Sequence, residues 1–217
     1  AAEPAGSHAA LVVCDGVTSA PDSDIASLAA ARAALAILAA PFSRGLGGAD
    51  SAVVAAERTW ERAVHEAQAA VVRESERSGV RAGACTFAAA VVSGNVVWSA
   101  GIGDSRAYLV PDDGAAVMLT TDDSMAEMLI AAGVPRADAE DTPIAHTITR
   151  WLGIDAPSLD PQAQRWEIPG PSWLIVCTDG LWNYASSAEE LAAVVAVLRD
   201  TTHPGPTPLG MANALVE

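Results

Sequence analysis

Two short apolar runs in this chain each end in an Asp-Gly pair, and this repeated feature limits the folds the chain can adopt. Residues 11–14 are followed by Asp15-Gly16, and residues 173–177 by Thr178 and then Asp179-Gly180. Apolar runs of this length between turn residues indicate buried strands. One Asp-Gly pair alone is ordinary turn chemistry. Two pairs, each at the end of a buried strand, suggest a site built from two carboxylates.

The size and charge of the chain exclude several classes of protein. A length of 217 residues with 51% hydrophobic residues is enough for one domain with a substantial core. No apolar stretch approaches the roughly 20 residues that cross a bilayer, so we expect no membrane association. The net charge of −15 argues against nucleic acid as a partner, because a phosphate backbone is bound by clustered cations.

The cysteines and histidines predict no site of their own. Cys14, Cys85 and Cys177 lie far apart in apolar stretches, without the close spacing of zinc or redox motifs. We expect them to be small core residues of a protein in the reducing cytoplasm. We likewise interpret the four histidines as solvated or structural: His8, His65, His146 and His203.

Apolar periodicity and turn residues predict blocks of helix and strand. The predicted helices start at Asp22 or Ser23 and end near Pro41, cover residues 50–78, 124–132 and 191–198, and begin again near Pro208. The predicted strands cover residues 11–14, 85–92, 96–100, 106–110, 116–119 and 173–177. Ser187 and Glu190 have the spacing of a capping box. Residues 134–171 are predicted to form an irregular excursion, and loops of that length are often functional.

This order of elements predicts an α+β fold around antiparallel sheet. Strands between residues 85 and 119 follow one another as a meander, and few are separated by a full crossover helix. A doubly wound parallel fold is therefore excluded. The only trace of a dinucleotide fingerprint, Gly101-Ile102-Gly103, has no third glycine and no helix behind it.

If the strands that precede Asp15 and Asp179 lie side by side, the two carboxylates meet at the edge of the core. Mg²⁺ and Mn²⁺ bind through such oxygen ligands, and a neighbouring glycine lets the main chain approach the ion. Asp104, in GIGDSRAYL, supplies a third carboxylate. Taken alone, however, Asp104 is better explained by a tight hairpin in which it pairs with Arg106.

Six stretches, in chain order, resemble the bacterial type of the metal-dependent Ser/Thr protein phosphatase family, also called PPM or type 2C. They are LVVCDG at 11–16, GACTFAAA at 83–90, GIGDSRAYL at 101–109, LTTDDS at 119–124, TITRWLG at 147–153 and LIVCTDGLW at 174–182. The third and the last are the specific ones. The match covers most of the chain.

The resemblance implies an α-β-β-α sandwich, in which two antiparallel sheets are flanked by helices, with a binuclear Mn²⁺ or Mg²⁺ centre. By position, Asp15 would bridge the two metals, the Gly16 carbonyl would bind one, and Asp179 would hold one from the opposite side. Asp104 would be a candidate ligand for a third ion. The implied reaction is hydrolysis of phosphoserine and phosphothreonine in proteins by a metal-activated water. Phosphorylated proteins are the implied partners, with a Ser/Thr kinase as a further candidate.

The chain also departs from the family pattern. That pattern opens with a phosphate-binding Arg and an acidic strand and closes with Asp-Asn-x-Thr, and neither part stands in this sequence. We therefore expect one phosphatase-like domain over residues 1–217, truncated at both ends, with weak or no turnover by this polypeptide. Val17-Thr18-Ser19 replaces the usual Gly-Gly-His. Two alternatives remain: a catalytically impaired module that binds phosphoproteins or regulates, and a purely structural α+β module.

Overall fold

A computed structural model of the chain describes residues 8–40, 49–78, 83–201 and 206–216. In these ranges the strands are β1 (His8–Val13), β2 (Ala84–Cys85), β3 (Phe87–Ser93), β4 (Val96–Ile102), β5 (Arg106–Pro111), β6 (Val117–Met118), β7 (Leu152–Gly153), β8 (Gln164–Glu167) and β9 (Ser172–Cys177). The helices are α1 (Ser23–Leu38), α2 (Ala49–Ser78), α3 (Met125–Ala131), α4 (Arg136–Glu140), α5 (Asp179–Trp182), α6 (Ala188–Thr201) and α7 (Pro208–Val216). None of these helices is long and apolar enough to cross a membrane.

The strands form two main antiparallel sheets and one short pair. The first sheet has the order β1-β3-β4-β8, the second has the order β6-β5-β9, and β2 pairs with β7. Helices α1 and α2 pack on the first sheet, while α6 and α7 pack on the second. The predicted α+β class and the α-β-β-α sandwich are therefore confirmed.

The alternation of side chains along each central strand produces these layers. In β3, Ala89 and Val91 join the cluster under the helices, whereas Ala90 faces the second sheet. In β5, Tyr108 points into the cluster with α6, whereas Leu109 faces the first sheet. Both faces of these strands are buried, which is why their sequences are almost continuously apolar.

Small side chains let the first helix pair pack closely. Ala26, Ala30 and Ala34 recur every four residues on one face of α1 and are 0–1% exposed. The larger groups come from α2, where Trp60 and Val64 are fully buried. The four-residue spacing places each set on a single helix face, so the two helices bury one continuous apolar seam.

The predicted meander is split between the two sheets. Hairpin β3–β4 belongs to the first sheet, and β5 and β6 belong to the second. The chain passes between the sheets after β4, at Gly103, whose φ is +92°. Glycine adopts this left-handed conformation without the steric cost that other residues incur.

The excursion at residues 134–171 is more regular than predicted. It contains α4, β7 and β8, and β8 pairs with β4 from Val96↔Glu167 to Ser99↔Gln164. The sequence QRWE of β8 is mostly polar because the strand lies at the edge of its sheet, with Trp166 alone packed against the cluster between the sheets.

Side-chain capping was predicted at the start of α1 and of α6, and the structure shows it at α6 but not from Asp22 at α1. At α6, the Glu190 N–H donates to Ser187 Oγ at 3.1 Å and the Ser187 N–H donates to Glu190 Oε2 at 2.9 Å, which confirms the capping box. At α1, Asp22 occupies the cap position with φ of 52°, but its side chain makes no capping hydrogen bond.

Candidate metal centre

Asp15 lies just past the end of β1 and is held through its backbone. The Asp15 N–H donates to Thr86 Oγ1 at 3.0 Å, and the Thr86 N–H donates to the Asp15 carbonyl at 2.8 Å. Thr86 Oγ1 is also 2.6 Å from Ser105 Oγ. These bonds fix the backbone of the loop and leave the Asp15 carboxylate free to face the second sheet.

Asp179 is the first residue of α5, and only Thr178 separates it from the end of β9. Its carboxylate lies close enough to that of Asp15 for the two groups to interact. Burial raises the pKa of Asp15, and the hydrogen bond and negative charge of Asp179 raise it further. Two carboxylates in contact either share a proton or bind a cation. The two carboxylates therefore lie near each other although β1 and β9 belong to different sheets, and their role as ligands stays a prediction.

Asp104 lies in the turn between β4 and β5 and is only 8% exposed. Burial raises its pKa to about 6, with further contributions from Asp122 and Asp179. Its carbonyl accepts a hydrogen bond from Trp182 Nε1 at 2.8 Å, which ties this turn to α5. Asp104 is thus within electrostatic reach of Asp179.

Arg106 pairs with Asp122 and not with Asp104, so the hairpin explanation of Asp104 is wrong. Arg106 Nη2 lies 2.6 Å from Asp122 Oδ2, and Nε donates to both carboxylate oxygens at 3.0 Å. The guanidinium carbon stands 3.8 Å from the Trp182 ring centroid. No role was predicted for Asp122 or Trp182, although both lie in stretches that carry the family resemblance.

Gly16 continues the Asp15 loop and pairs with Cys85 in an isolated bridge. A Cβ on Gly16 would stand 2.7 Å from the Ser23 carbonyl oxygen, so only glycine fits against the start of α1. This close approach explains the glycine after Asp15 without reference to a metal. The predicted role of the Gly16 carbonyl as a ligand stays a prediction.

The donor set of this region suits a hard divalent cation in part. Carboxylate oxygens are the ligands that Mg²⁺ and Mn²⁺ prefer, and Asp15 and Asp179 present two that meet. Among the described residues, however, no group of three or more His, Cys, Asp or Glu side chains is arranged to hold a metal ion. The pair therefore offers carboxylate oxygens to a cation, and Asp104 is not grouped with it.

A cavity of about 740 Å³ adjoins this region. One side is formed by the loop after Gly16, including Val17 and Pro21, and the other by the end of the excursion, including Ile148 and Trp151. His146 lines this cavity and also a smaller one that contains Asp104. Asp15, Asp104 and Asp179 do not line the large cavity.

The cysteines and described histidines have no evident ligand role. Cys85 and Cys177 are buried, Cys14 is partly buried, and all three are free, as predicted. Burial raises the pKa of the Cys177 thiol to about 12, so it stays protonated. His8 Nε2 lies 2.9 Å from the Leu38 carbonyl, and the His146 ring centroid is 5.7 Å from that of Trp182. His203 lies outside the described residues.

Comparison with known proteins places the chain in a family. The family model for protein phosphatase 2C matches residues 2–217. The chain therefore belongs to the protein phosphatase 2C family, as the sequence motifs predicted. A curated relative, the serine/threonine phosphatase stp of Listeria innocua serovar 6a, is 31% identical over 107 residues, which is 48% of this chain. The match spans 41% of that relative's length.

Solved structures agree on the fold. The serine/threonine phosphatase PstP/Ppp of Mycobacterium tuberculosis aligns with a TM-score of 0.70 at 21% identity, covering 100% of this chain and 87% of that one. The S. agalactiae serine/threonine phosphatase aligns with a TM-score of 0.71 at 20% identity, covering 97% and 81%. A catalytic domain of PstP solved in complex with two manganese ions aligns with a TM-score of 0.66 at 21% identity, covering 95% and 79%.

Proposed function

We propose that the chain carries out metal-dependent hydrolysis of phosphoserine and phosphothreonine in proteins. The observation that carries the proposal is that the Asp15 and Asp179 carboxylates lie near each other, just beyond strands from two different sheets in a protein phosphatase 2C fold. The substrates are phosphorylated proteins, and a Ser/Thr kinase that produces them is a candidate partner. The free cysteines are consistent with a reducing cytoplasm.

In this proposal Asp15, the Gly16 carbonyl and Asp179 would hold two Mn²⁺ or Mg²⁺ ions, with Asp15 shared between them. Asp104 is a candidate ligand of a third ion. Such ions would supply an activated water and neutralise charge on the transferring phosphoryl group. The chain's own contribution is to fix these oxygens: Thr86 holds the Asp15 backbone, and Trp182 holds the Asp104 carbonyl.

Hydrolysis of p-nitrophenyl phosphate and of a phosphothreonine peptide by the full-length gene product, with and without Mn²⁺, tests the proposal. Asp179→Asn should lower the metal-dependent rate by roughly a hundredfold or more, since a ligand that supports several kcal/mol of charge stabilisation is weakened. Asp113→Asn, at an exposed turn, is the matched control and should keep the rate. Unchanged turnover in Asp179→Asn would rule out this site.

A second candidate is a phosphatase-shaped module that binds phosphoproteins without turnover. It is favoured by the absence, among the described residues, of a third side chain that joins Asp15 and Asp179 in a ligand group. Calorimetric titration separates the two functions. Binding of a phosphothreonine peptide with no hydrolysis in either Mn²⁺ or Mg²⁺ would favour the module and contradict the enzyme.

A further inference from the structure

The 740 Å³ cavity has a wall of mixed polarity on the side of the excursion, with three large apolar side chains beside His146, Thr147 and Asp155. Ile148, Trp151 and Ile154 line it there, opposite Val17 and Pro21 of the Asp15 loop. Ile154 is 46% exposed, so its side chain has not been buried by the fold. We call this space the Trp151 cavity. Its size and lining resemble those of sites that enclose an apolar group.

The wall that carries Trp151 is held rigidly from behind. Gly153 donates its N–H to Gln68 Oε1 at 2.9 Å and accepts from Gln68 Nε2 at 2.6 Å, so both of its backbone groups are bound to α2. The Trp151 indole N–H donates to Asp155 Oδ1 at 3.0 Å, which orients the ring. A cavity whose wall is already fixed loses little conformational entropy when it is filled.

The Trp151 cavity lies next to the candidate metal centre, although neither Asp15 nor Asp179 lines it. Val17 is two residues from Asp15, and its N–H donates to the Ala84 carbonyl at 2.8 Å, which fixes the loop between them. On the other side, His146 lines both this cavity and the smaller one that contains Asp104 and Trp182. A peptide with its phosphoryl group at Asp15 and Asp179 would therefore place neighbouring residues in or beside the cavity.

We propose that the Trp151 cavity binds a large apolar side chain of the substrate, close to the phosphorylated residue. This inference rests on the proposed function and names the substrate class: phosphopeptides with leucine or an aromatic residue near the phosphothreonine or phosphoserine. Acidic neighbours are disfavoured, because Asp155 lines the cavity and the chain carries a net charge of −15.

Fluorescence anisotropy with two labelled phosphothreonine peptides tests the proposal without relying on turnover. The peptides differ only in the residues flanking the phosphothreonine, which are leucine in one and aspartate in the other. We expect the full-length gene product to bind the leucine peptide about tenfold more tightly or better, the ratio for burying one large apolar side chain. Equal affinities, or a preference for aspartate, would overturn the proposal.

Variants assign the preference to the cavity. Trp151→Ala should abolish it, and Ile154→Ser should weaken it; the exposure of Ile154 makes that variant safe for folding. Leu209→Ala, at a residue 70% exposed on α7 and outside the cavity, should keep the full preference. A preference for leucine that survives both cavity substitutions would refute the assignment.

A hydrolysis assay on the same protein samples distinguishes failure of the cavity proposal from failure of the proposed function. Hydrolysis of p-nitrophenyl phosphate in Mn²⁺ reports on the metal centre alone, because this small ester has no flanking residues. Absent hydrolysis with a retained leucine preference would contradict the enzyme and support the Trp151 cavity. Hydrolysis without any peptide preference would support the enzyme and contradict the cavity.

Discussion

At the scale of single residues, the ion pair of Arg106 and Asp122 is the least exposed to solvent among the described residues. Their side chains are 3% and 4% exposed. We expect Arg106→Met to lower the free energy of unfolding by about 3–5 kcal/mol, because it leaves the Asp122 carboxylate buried without its partner. Urea denaturation of the variant and the parent protein measures this loss.

Arg199 provides the control for that prediction. It pairs with Asp112 at 2.9 Å, but both side chains are 36% exposed. Arg199→Ala should therefore cost less than about 1 kcal/mol, as solvated ion pairs do. If the two variants lost equal stability, the Arg106 pair would not have the importance that its burial implies.

Substitutions at two glycines with positive φ distinguish the energetic cost of backbone strain from the cost of steric crowding. Gly94 has φ of +65° and open space around it, whereas a Cβ on Gly103 would lie 2.8 Å from Thr86 Cγ2. We expect Gly94→Ala to cost about 1–2 kcal/mol for the left-handed backbone. Gly103→Ala should cost about 1–3 kcal/mol more, because it also overpacks against Thr86. Thermal unfolding of both variants would show this order, and equal losses would contradict it.

At the scale of elements, the start of α6 should make stability depend on pH. Hydrogen bonds from Ser187 lower the pKa of Glu190 below its ordinary value of 4.5. A lowered carboxylate pKa stabilises the fold above the ordinary value, and this contribution is lost as pH falls through the folded value. On acidification from about pH 6 to pH 3, the urea midpoint should therefore fall further in the parent protein than in Glu190→Gln.

Glu189→Gln is the matched substitution for this experiment, since Glu189 is an exposed neighbour in the same turn of α6. That variant should follow the parent protein across the pH range. If Glu190→Gln also followed it, the capping box would contribute nothing that depends on ionisation.

The elements that were predicted well are those specified by local sequence. The periodic apolar residues of α2 predicted that helix to within one residue, and Ser187 with Glu190 predicted the cap of α6. Strands β7 and β8 were missed because each exists only through pairing with a distant partner, β2 in one case and β4 in the other. A two-residue strand or a polar edge strand carries almost no periodic pattern of its own.

The same division applies to the candidate site. Asp15 and Asp179 were found because each follows an apolar strand, which is a local signal. The partner of Arg106 was missed because Asp122 lies sixteen residues away, on the far side of β6. Contacts of this kind are set by the packing of the sheets. From the sequence alone, the predicted partner of Arg106 was the nearest carboxylate in the chain, that of Asp104.

At the scale of the whole molecule, the candidate site joins two layers. Asp15 follows the four-stranded sheet, and Asp179 follows the three-stranded sheet. An ion held by both carboxylates binds only the folded state, so Mn²⁺ should raise the melting temperature. The gain is about 2.7 kcal/mol at a hundredfold excess over Kd, or roughly 5–10 °C for a chain of this size.

Calorimetry with a series of Mn²⁺ concentrations checks this expectation. Asp179→Asn should show a much smaller shift, whereas Asp113→Asn should behave like the parent protein. A melting temperature that does not change with Mn²⁺ would contradict a metal shared between the sheets.

The two hydrogen bonds between Gln68 and Gly153 affect which changes of sequence this protein can accept during evolution. The two hydrogen bonds are made to backbone groups, so they do not depend on which side chains stand at positions 151 and 154. Mutations at these positions can alter the shape of the Trp151 cavity while the main chain behind it keeps its course. Selection can therefore change what the cavity accepts without rebuilding the sandwich that carries the acidic residues.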